Sequence, residues 1–348
     1  MPPVTFDLLK RLTEAPGIAG NEDTVRALIM DEVTPLVDDV RTDALGNVIA
    51  RKRGSGDGSQ SLMIAAHMDE IGLMVTHVDA ATGFLNIIPL GGWDARTLVS
   101  QRVVVHGREA VDGVVGTPPV HVLKPEDRDR APKLTDLVID TGILDGRITD
   151  LVRPGDVATR SRRLQQMGDL ISGKALDDRV GVFIMLEALQ RTEPATADLY
   201  AVAAVQEEVG LRGSRTATHR VNPHVGVAID TCPSGDGPGQ TGGGTKLGDG
   251  AAIRVADASA IASHRVVALL EELAVERGIP HQFHVSDKGG TDTASLQLAR
   301  DGSLAGCISI PSRYGHSSVE ACHPRDVQAC IDLTVALIDR AHELTPER

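Results

Sequence analysis

The chain has 348 residues, a formal net charge of -13, 41% hydrophobic and only 2% aromatic residues. That length suffices for a full core and suggests about two domains. The acidic balance and the scarcity of aromatics, one Trp, two Tyr and four Phe, argue against nucleic-acid binding by phosphate contact or base stacking, and against an anionic membrane surface. In chain order, the segment from Met1 to Asp7 lacks the basic-then-apolar pattern of a signal peptide, and no apolar run reaches the ~18 residues of a membrane span, so the expected location is cytoplasmic. Phe6, Leu8, Leu9 and Leu12 have helical spacing, broken at Ala15-Pro16-Gly17. A second helix is expected from Asn21 as its N-cap, with Glu22 and Asp23 in its first turn and Val25, Leu28, Ile29 and Val33 on one face. Asp39 to Arg53 alternates about Leu45-Gly46-Asn47 and predicts a hairpin, followed by a polar loop at residues 54–60.

Leu62-Met63-Ile64-Ala65-Ala66 reads as a buried strand, and it ends in His67-Met68-Asp69-Glu70. Residues two apart share a face of an extended chain, so Asp69 is placed to accept the second imidazole N–H of His67 and fix its tautomer. A lone histidine after a strand usually reads as structural; here the same pattern recurs. From about Val75 to Arg163 the chain consists of short β-like runs with frequent turns, the signature of a small inserted β domain. Its charged, proline-bounded stretch from Leu123 to Pro132 reads as a surface loop. His77, His106 and His121 have no carboxylates at ligand spacing and are read as non-catalytic.

Helical spacing resumes after Lys174-Ala175-Leu176-Asp177-Asp178-Arg179, where one acid can cap the helix and the other can meet a cation. Ala201 to Val205 is a further apolar strand, followed by Gln206-Glu207-Glu208-Val209-Gly210. If the strand continues through the two acids, they point to opposite faces and divide two jobs, metal ligand and general base. A turn is expected at Gly210 to Arg215. Val225 to Ile229 is a strand ending at Asp230. The glycine-rich stretch from Cys232 to Gly250 lacks the order of a phosphate-binding loop and reads as a loop beside a cleft. A helix from His264 to Gly278, a strand at Gln282 to Val285, a helix opened by Gly289 to Thr293, a strand at Cys307 to Pro311 and a helix from about Arg325 to Leu344 complete the pattern. Cys232, Cys307, Cys322 and Cys330 show no CxxC spacing and read as reduced, buried thiols.

Strands alternating with helices imply an α/β sheet, and ligands of such sheets gather where the strands' carboxyl ends meet. Those ends carry His67, Glu207-Glu208, Asp230 and His316, with Asp177-Asp178 nearby. Two histidines and at least three carboxylates exceed one tetrahedral zinc but suit two divalent ions sharing a bridging carboxylate, which leaves one glutamate to move a proton. Spacing alone does not say which glutamate.

The segments His67-Met68-Asp69-Glu70-Ile71-Gly72, Lys174-Ala175-Leu176-Asp177-Asp178-Arg179, Gln206-Glu207-Glu208-Val209-Gly210 and Arg313-Tyr314-Gly315-His316-Ser317 together resemble the M42 family of metallo-aminopeptidases, in order and in spacing, over nearly the whole chain. The resemblance implies a mixed sheet flanked by helices, the zinc-peptidase phosphorylase/hydrolase-like fold. It divides the chain into a catalytic domain, residues 1–74 and 164–348, and an inserted β-barrel-like dimerization domain, residues 75–163. It implies two divalent ions per chain, zinc or cobalt, with Asp177 bridging them. His67 and Asp230 complete one ion's ligands and Glu208 and His316 the other's. A metal-bridging water is then the nucleophile, Glu207 the general base and acid, Asp69 the residue that orients His67, and Asp178 a support for the bridge through an unusual peptide geometry. Peptides are the implied substrates, and dimers assembling into a tetrahedral dodecamer the implied assembly. One position departs from the family's pattern: Thr293 follows Gly290-Thr291-Asp292 where the family carries a smaller alanine.

Three other readings compete. A glycoside hydrolase needs two carboxyl groups about 5–10 Å apart across a sugar bond, usually with aromatic platforms, and neighbouring Glu207 and Glu208 are not such a pair. A zinc deacylase or aminoacylase acting on small amides would use the same metals and differs only in substrate. A non-catalytic metal-binding subunit would have no need of an intact Glu207.

Overall fold

The computed structural model describes residues 6–344, apart from residues 57, 59, 128, 129, 194 and 240–243. The expectations for the first five residues, for the middle of the 123–132 loop and for Gly242-Gly243 lie outside the described residues. Two amphipathic helices, α1 (Asp7–Glu14) and α2 (Asp23–Val33), open the chain and bury Leu9, Leu12, Val25, Ile29 and Val33. The N-cap of α2 is Glu22, not Asn21, and no side chain caps it. The Glu22 carboxylate instead accepts the amides of Gly20 (2.7 Å) and Gln206 (3.2 Å). The predicted hairpin forms from β1 (Asp39–Thr42) and β2 (Val48–Lys52). Its turn is held by Asp43, whose Oδ1 collects the amides of Leu45, Gly46 and Asn47 at 3.0, 2.9 and 3.0 Å.

The strand β3 (Ser61–His67) is buried almost throughout. Leu62, Ile64 and Ala66 enter the main core, while Met63 and Ala65 enter a smaller core on the opposite face. This period of two with both faces covered is why the sequence reads as an unbroken apolar run.

A closed antiparallel barrel follows, built from β4 (Gly72–Val78), β5 (Phe84–Leu90), β6 (Arg102–His106), β7 (Ala110–Gly116), β8 (Val138–Asp140) and β9 (Val157–Arg160), in the order β4-β5-β8-β7-β6-β9. Two single-turn helices, α3 (Ala95–Leu98) and α4 (Ile148–Leu151), lie within this stretch. The barrel has its own apolar core, including Leu85, Val103, Val105, Val115 and Ile139. In β7 the burial alternates, with Val111, Gly113 and Val115 turned inward.

The chain returns to the main sheet through β10 (Gln165–Met167) and β11 (Leu170–Gly173), and continues as α5 (Leu176–Arg191), β12 (Asp198–Ala204), α6 (Arg212–Val221), β13 (Val225–Pro233), β14 (Ala251–Ala256), α7 (His264–Arg277), β15 (His281–Val285), α8 (Thr293–Leu296), β16 (Leu304–Arg313), β17 (Glu320–Cys322) and α9 (Pro324–Arg340). The sheet runs β1-β2-β12-β3-β13-β16-β17-β11-β10, with β14 against β16 and β15 against β14. Its four central strands, β12, β3, β13 and β16, are parallel, so their carboxyl ends share one edge. Helices α1, α2, α5, α7 and α9 cover one face, and α6 and α8 the other. This is the expected mixed sheet flanked by helices, with a small closed β-barrel.

The helix α6 occupies the stretch expected to be a turn. It buries Gly213, Ser214, Ala217 and Thr218, residues too small and polar to produce apolar periodicity in the sequence. The short strands β10, β11 and β17, and β14, are likewise additions to the predicted elements. All four cysteines are free and buried. No helix among the described residues is long and apolar enough to cross a membrane.

Candidate metal centre

The parallel register brings distant residues to one edge. His67, the last residue of β3, pairs with Ala204, the last of β12, and Asp230 lies beside Ser309 in β16. His316 follows three residues after β16, with its backbone in the left-handed region at φ 56°. Asp177 and Asp178 enter at the start of α5, where both leave helical geometry and the peptide joining them is cis. The kink lets the two carboxylates part: Asp178 Oδ1 accepts the amide of Gly181 (3.1 Å) as a helix cap and its Oδ2 the amide of His67 (3.2 Å). Asp177 turns toward the strand ends instead. His67, Asp177, Glu207, Glu208, Asp230 and His316 all line one cavity of about 780 Å³.

Asp177 stands between the two imidazoles. Its Oδ1 lies 3.2 Å from His67 Nε2 and its Oδ2 lies 3.5 Å from His316 Nε2. Glu208 Oε2 is 3.3 Å from His316 Nε2, and Glu207 Oε2 is 3.9 Å from His67 Nε2. Each ring is held at its other nitrogen by a main-chain carbonyl: His67 Nδ1 donates to Asp69 O (3.0 Å) and His316 Nδ1 to Gly92 O (2.9 Å). A carbonyl only accepts, so Nδ1 carries the proton and Nε2 faces the acids. The Asp69 carboxylate is farther from His67 Nδ1, at 3.7 Å, and it accepts the amides of Glu207 (2.9 Å) and Glu208 (3.1 Å). Asp69 thus holds His67 mainly through its carbonyl, and its side chain serves the glutamate turn.

That turn differs from the strand-alternation reading. The strand β12 stops at Ala204, and Gln206 takes a left-handed conformation (φ 54°), so Glu207 and Glu208 lie beyond the strand. Both side chains are nearly buried and both enter the cavity. What separates them is the histidine each approaches.

The electrostatics favour a cation. Burial, reinforced by the charge of Asp177, pushes the Asp230 carboxyl up to about 8, and burial also raises Glu207, strongly, and Glu208. Burial works to raise Asp177 as well, but hydrogen bonds from His316 and His67 hold it below the usual carboxylate range. Against burial, which favours the neutral ring, Asp177 and Glu208 drive His316 up to about 12. Four acids thus crowd two imidazoles at the cavity, a repulsion that divalent cations relieve. The donors fit: one oxygen or nitrogen from each of His67, Asp177 and Asp230 lies within 4.8 Å of the others, as does one from each of Asp177, Glu208 and His316.

A second layer was not anticipated from the sequence. Glu320 Oε2 accepts the amide of Asp177 (3.0 Å), and its Oε1 lies 3.4 Å from Arg160 Nη1. Arg160, from the barrel strand β9, also donates to Ser317 O and lies with its guanidinium 5.2 Å from the Trp93 ring centre. Deeper still, Glu70 pairs with Lys174 at 2.6 Å. Glu70 and Lys174 lie inside segments singled out in the sequence, whereas Arg160 and Glu320 lie outside them.

The sequence profile of the M42 glutamyl aminopeptidase family matches residues 46–333, and a second profile, AMPT, matches residues 4–28. Among named relatives, the chain is 35% identical to the lysyl aminopeptidase of Pyrococcus furiosus, over 99% of this chain and 98% of that protein. It is 32% identical to the glutamyl aminopeptidase of Lactococcus lactis, over 90% and 89%. Among solved structures, an aminopeptidase from the archaeon Desulfurococcus kamchatkensis superposes with a TM-score of 0.91 at 40% identity, covering 96% of this chain and 94% of that one. The TET1 peptidase of Pyrococcus horikoshii, described as assembling into a tetrahedron or a large octahedral shell, gives 0.85 at 34%, covering 96% and 99%. A protein of Thermotoga maritima described as an endoglucanase gives 0.80 at 29%, covering 97% and 98%.

Proposed function

Because the chain belongs to the M42 family of metallo-aminopeptidases, we propose that it removes the N-terminal residue from peptides at this cluster, with Glu207 as the group that moves the proton. The observation that carries the reading is Asp177, whose two oxygens separately face His67 and His316 while Glu207 stands beside His67. His67, Asp177 and Asp230 would hold one divalent ion and Asp177, Glu208 and His316 a second, with zinc or cobalt suited to the mixed imidazole and carboxylate donors. When bound, such a pair polarises a carbonyl, acidifies water and attracts the free α-amine of a peptide. Glu207 then takes a proton from the water that attacks the scissile carbonyl and returns it to the departing amine nitrogen. Burial raises its carboxyl, which makes the carboxylate a stronger base than an exposed glutamate. Asp69 and Asp178 keep the turn and the His67 backbone in place.

The proposal extends to organisation. Residues 1–74 and 164–348 form the catalytic unit, and residues 75–163 carry the contacts between copies. Dimers then assemble into a tetrahedral dodecamer. The TET1 relative supports this reading, as do Phe84, Ile88 and Val114, large apolar side chains exposed on the outside of the barrel.

A panel of aminoacyl-p-nitroanilides assayed with added Zn²⁺, Co²⁺ or Mn²⁺, together with metal analysis, tests the activity. Two ions per chain and metal-dependent cleavage are expected; a stoichiometry of zero or one at saturation overturns the dimetal reading. Glu207→Gln is expected to retain the metals and lose roughly 10²- to 10⁴-fold in turnover. N-acetylated peptides are expected to be poor substrates, since they lack the free amine. Efficient cleavage of them would instead establish a deacylase, and hydrolysis of a cellulosic polymer without anilide cleavage would establish a glycosidase.

A further inference from the structure

We infer that Glu22 and Asn47 are positioning residues for the Glu207–Glu208 turn, acting through its backbone amides. The inference rests on the proposed role of Glu207 and adds two residues that lie outside the candidate metal cluster.

Where β12 stops at Ala204, four successive amides leave the sheet ladder, and each finds a side chain. Val205 N–H donates to Asn47 Oδ1 (3.0 Å), Gln206 N–H to Glu22 Oε1 (3.2 Å), Glu207 N–H to Asp69 Oδ1 (2.9 Å) and Glu208 N–H to Asp69 Oδ2 (3.1 Å). A run of amides wrapped about a left-handed residue forms an anion-binding concavity, and here the protein's own acceptors fill it. Gln206 at φ 54° has a β-carbon to accommodate in a conformation that suits glycine, so the turn needs those acceptors to persist.

Asn47 closes the far side. It is fully buried, and its Nδ2 has two N–H groups to share among three acceptors within reach, Gly213 O (2.9 Å), Thr216 Oγ1 (2.9 Å) and Asp43 Oδ2 (2.7 Å). One amide group therefore grips both ends of the segment 205–213, alongside the bond from Gly213 N–H to Val205 O (2.9 Å). The approach is so close that a β-carbon on Gly213 would sit 2.3 Å from Asn47 Oδ1. Glu22 spans the other gap, because its single oxygen Oε1 accepts both Gly20 N–H (2.7 Å) and Gln206 N–H. Release of either residue lets the turn relax, and both Glu207 and Glu208 move with it. A displacement of about 1 Å at such a site costs about 10²-fold in rate.

The choice of acceptor atom supplies the test. Glu22→Gln keeps the oxygen that receives both bonds, whereas Glu22→Leu fills similar space and removes it. The leucine variant is expected to lose about 10- to 100-fold in kcat with KM within about threefold of the parent. The glutamine variant is expected to stay within about threefold of the parent in both. Amide hydrogen exchange over residues 203–210, measured by mass spectrometry on the whole chain, is expected to accelerate at least about tenfold in Glu22→Leu and to be unchanged in Glu22→Gln. Asn47→Ala is expected to behave as the leucine variant does and carries the same test if Glu22→Leu does not fold. A folded Glu22→Leu with unaltered exchange and turnover overturns the inference, as does a Glu22→Gln as impaired as the leucine variant. If the parent protein cleaves no peptide, the proposed activity fails, and the exchange measurement alone decides whether the clamp exists.

Discussion

At the scale of single residues, Glu22 makes its burial measurable through pH. Burial raises its carboxyl from 4.5 to about 7, the nearby Asp69 charge adds to the rise, and the amides of Gly20 and Gln206 oppose it. The buried guanidinium of Arg179 also feels its charge. The folded chain binds this proton more tightly than the unfolded chain, so the Glu22 contribution to stability falls as pH rises from about 4.5 through 7, and the loss is complete above that range. The swing is on the order of 2 kcal/mol. Denaturant unfolding at pH 5 and pH 8 is therefore expected to show a smaller loss of stability in Glu22→Gln than in the parent, because the amide has no charge to bury. Parallel losses in the two proteins would contradict the assignment. The residues of the candidate metal centre could be picked out of the sequence because they are histidines and acids at or near the ends of apolar runs. Glu22 and Asn47 could not, since their partners lie 184 and 158 residues away and are backbone amides, which every residue has.

Among the elements, α5 shows how local rules bend at the site. Glycine inside a helix ordinarily costs about 1 kcal/mol relative to alanine. Gly181 is an exception, because a β-carbon there would meet the Asp178 carboxylate at 2.3–2.4 Å, and that carboxylate is fixed by the amides of Gly181 and His67. Gly181→Ala is expected to destabilise the protein by more than about 1 kcal/mol, reversing the usual sign, as read from urea unfolding. A variant as stable as the parent would show that Asp178 yields freely and does not hold the strand end. The apolar strands β3, β12, β13 and β16 were legible as runs because they are covered on both faces. The helix α6 was not, because it packs through Gly213, Ser214 and Ala217, where the close approach of backbones replaces large side chains.

On the scale of the whole molecule, the barrel reaches into the candidate metal centre. Gly92 from the barrel stretch fixes the His316 ring, and Arg160 from β9 holds Ser317 and Glu320, the latter bonded to the amide of Asp177. The outer face of the barrel remains free to meet another copy, with Phe84 and Ile88 on β5 and Val114 on β7 exposed. Phe84→Asp combined with Ile88→Asp is expected to lower the mass measured by light scattering while circular dichroism stays unchanged. Retention of the parent's mass would exclude this face from the assembly.

The sequence by itself determined the sheet's buried strands, the inserted β block and the residue types gathered at the strand ends, because hydrophobic period and side-chain chemistry are local properties. It placed Glu207 and Glu208 on opposite faces of a strand that in fact ends before them. Tertiary structure alone decided that both enter one cavity, that main-chain carbonyls orient the two imidazoles, and that Asn47, Glu22 and Asp69 hold the turn between them. Most of these features are made by backbone groups meeting across long separations in the chain, and a peptide amide or carbonyl leaves no mark in the residue letters.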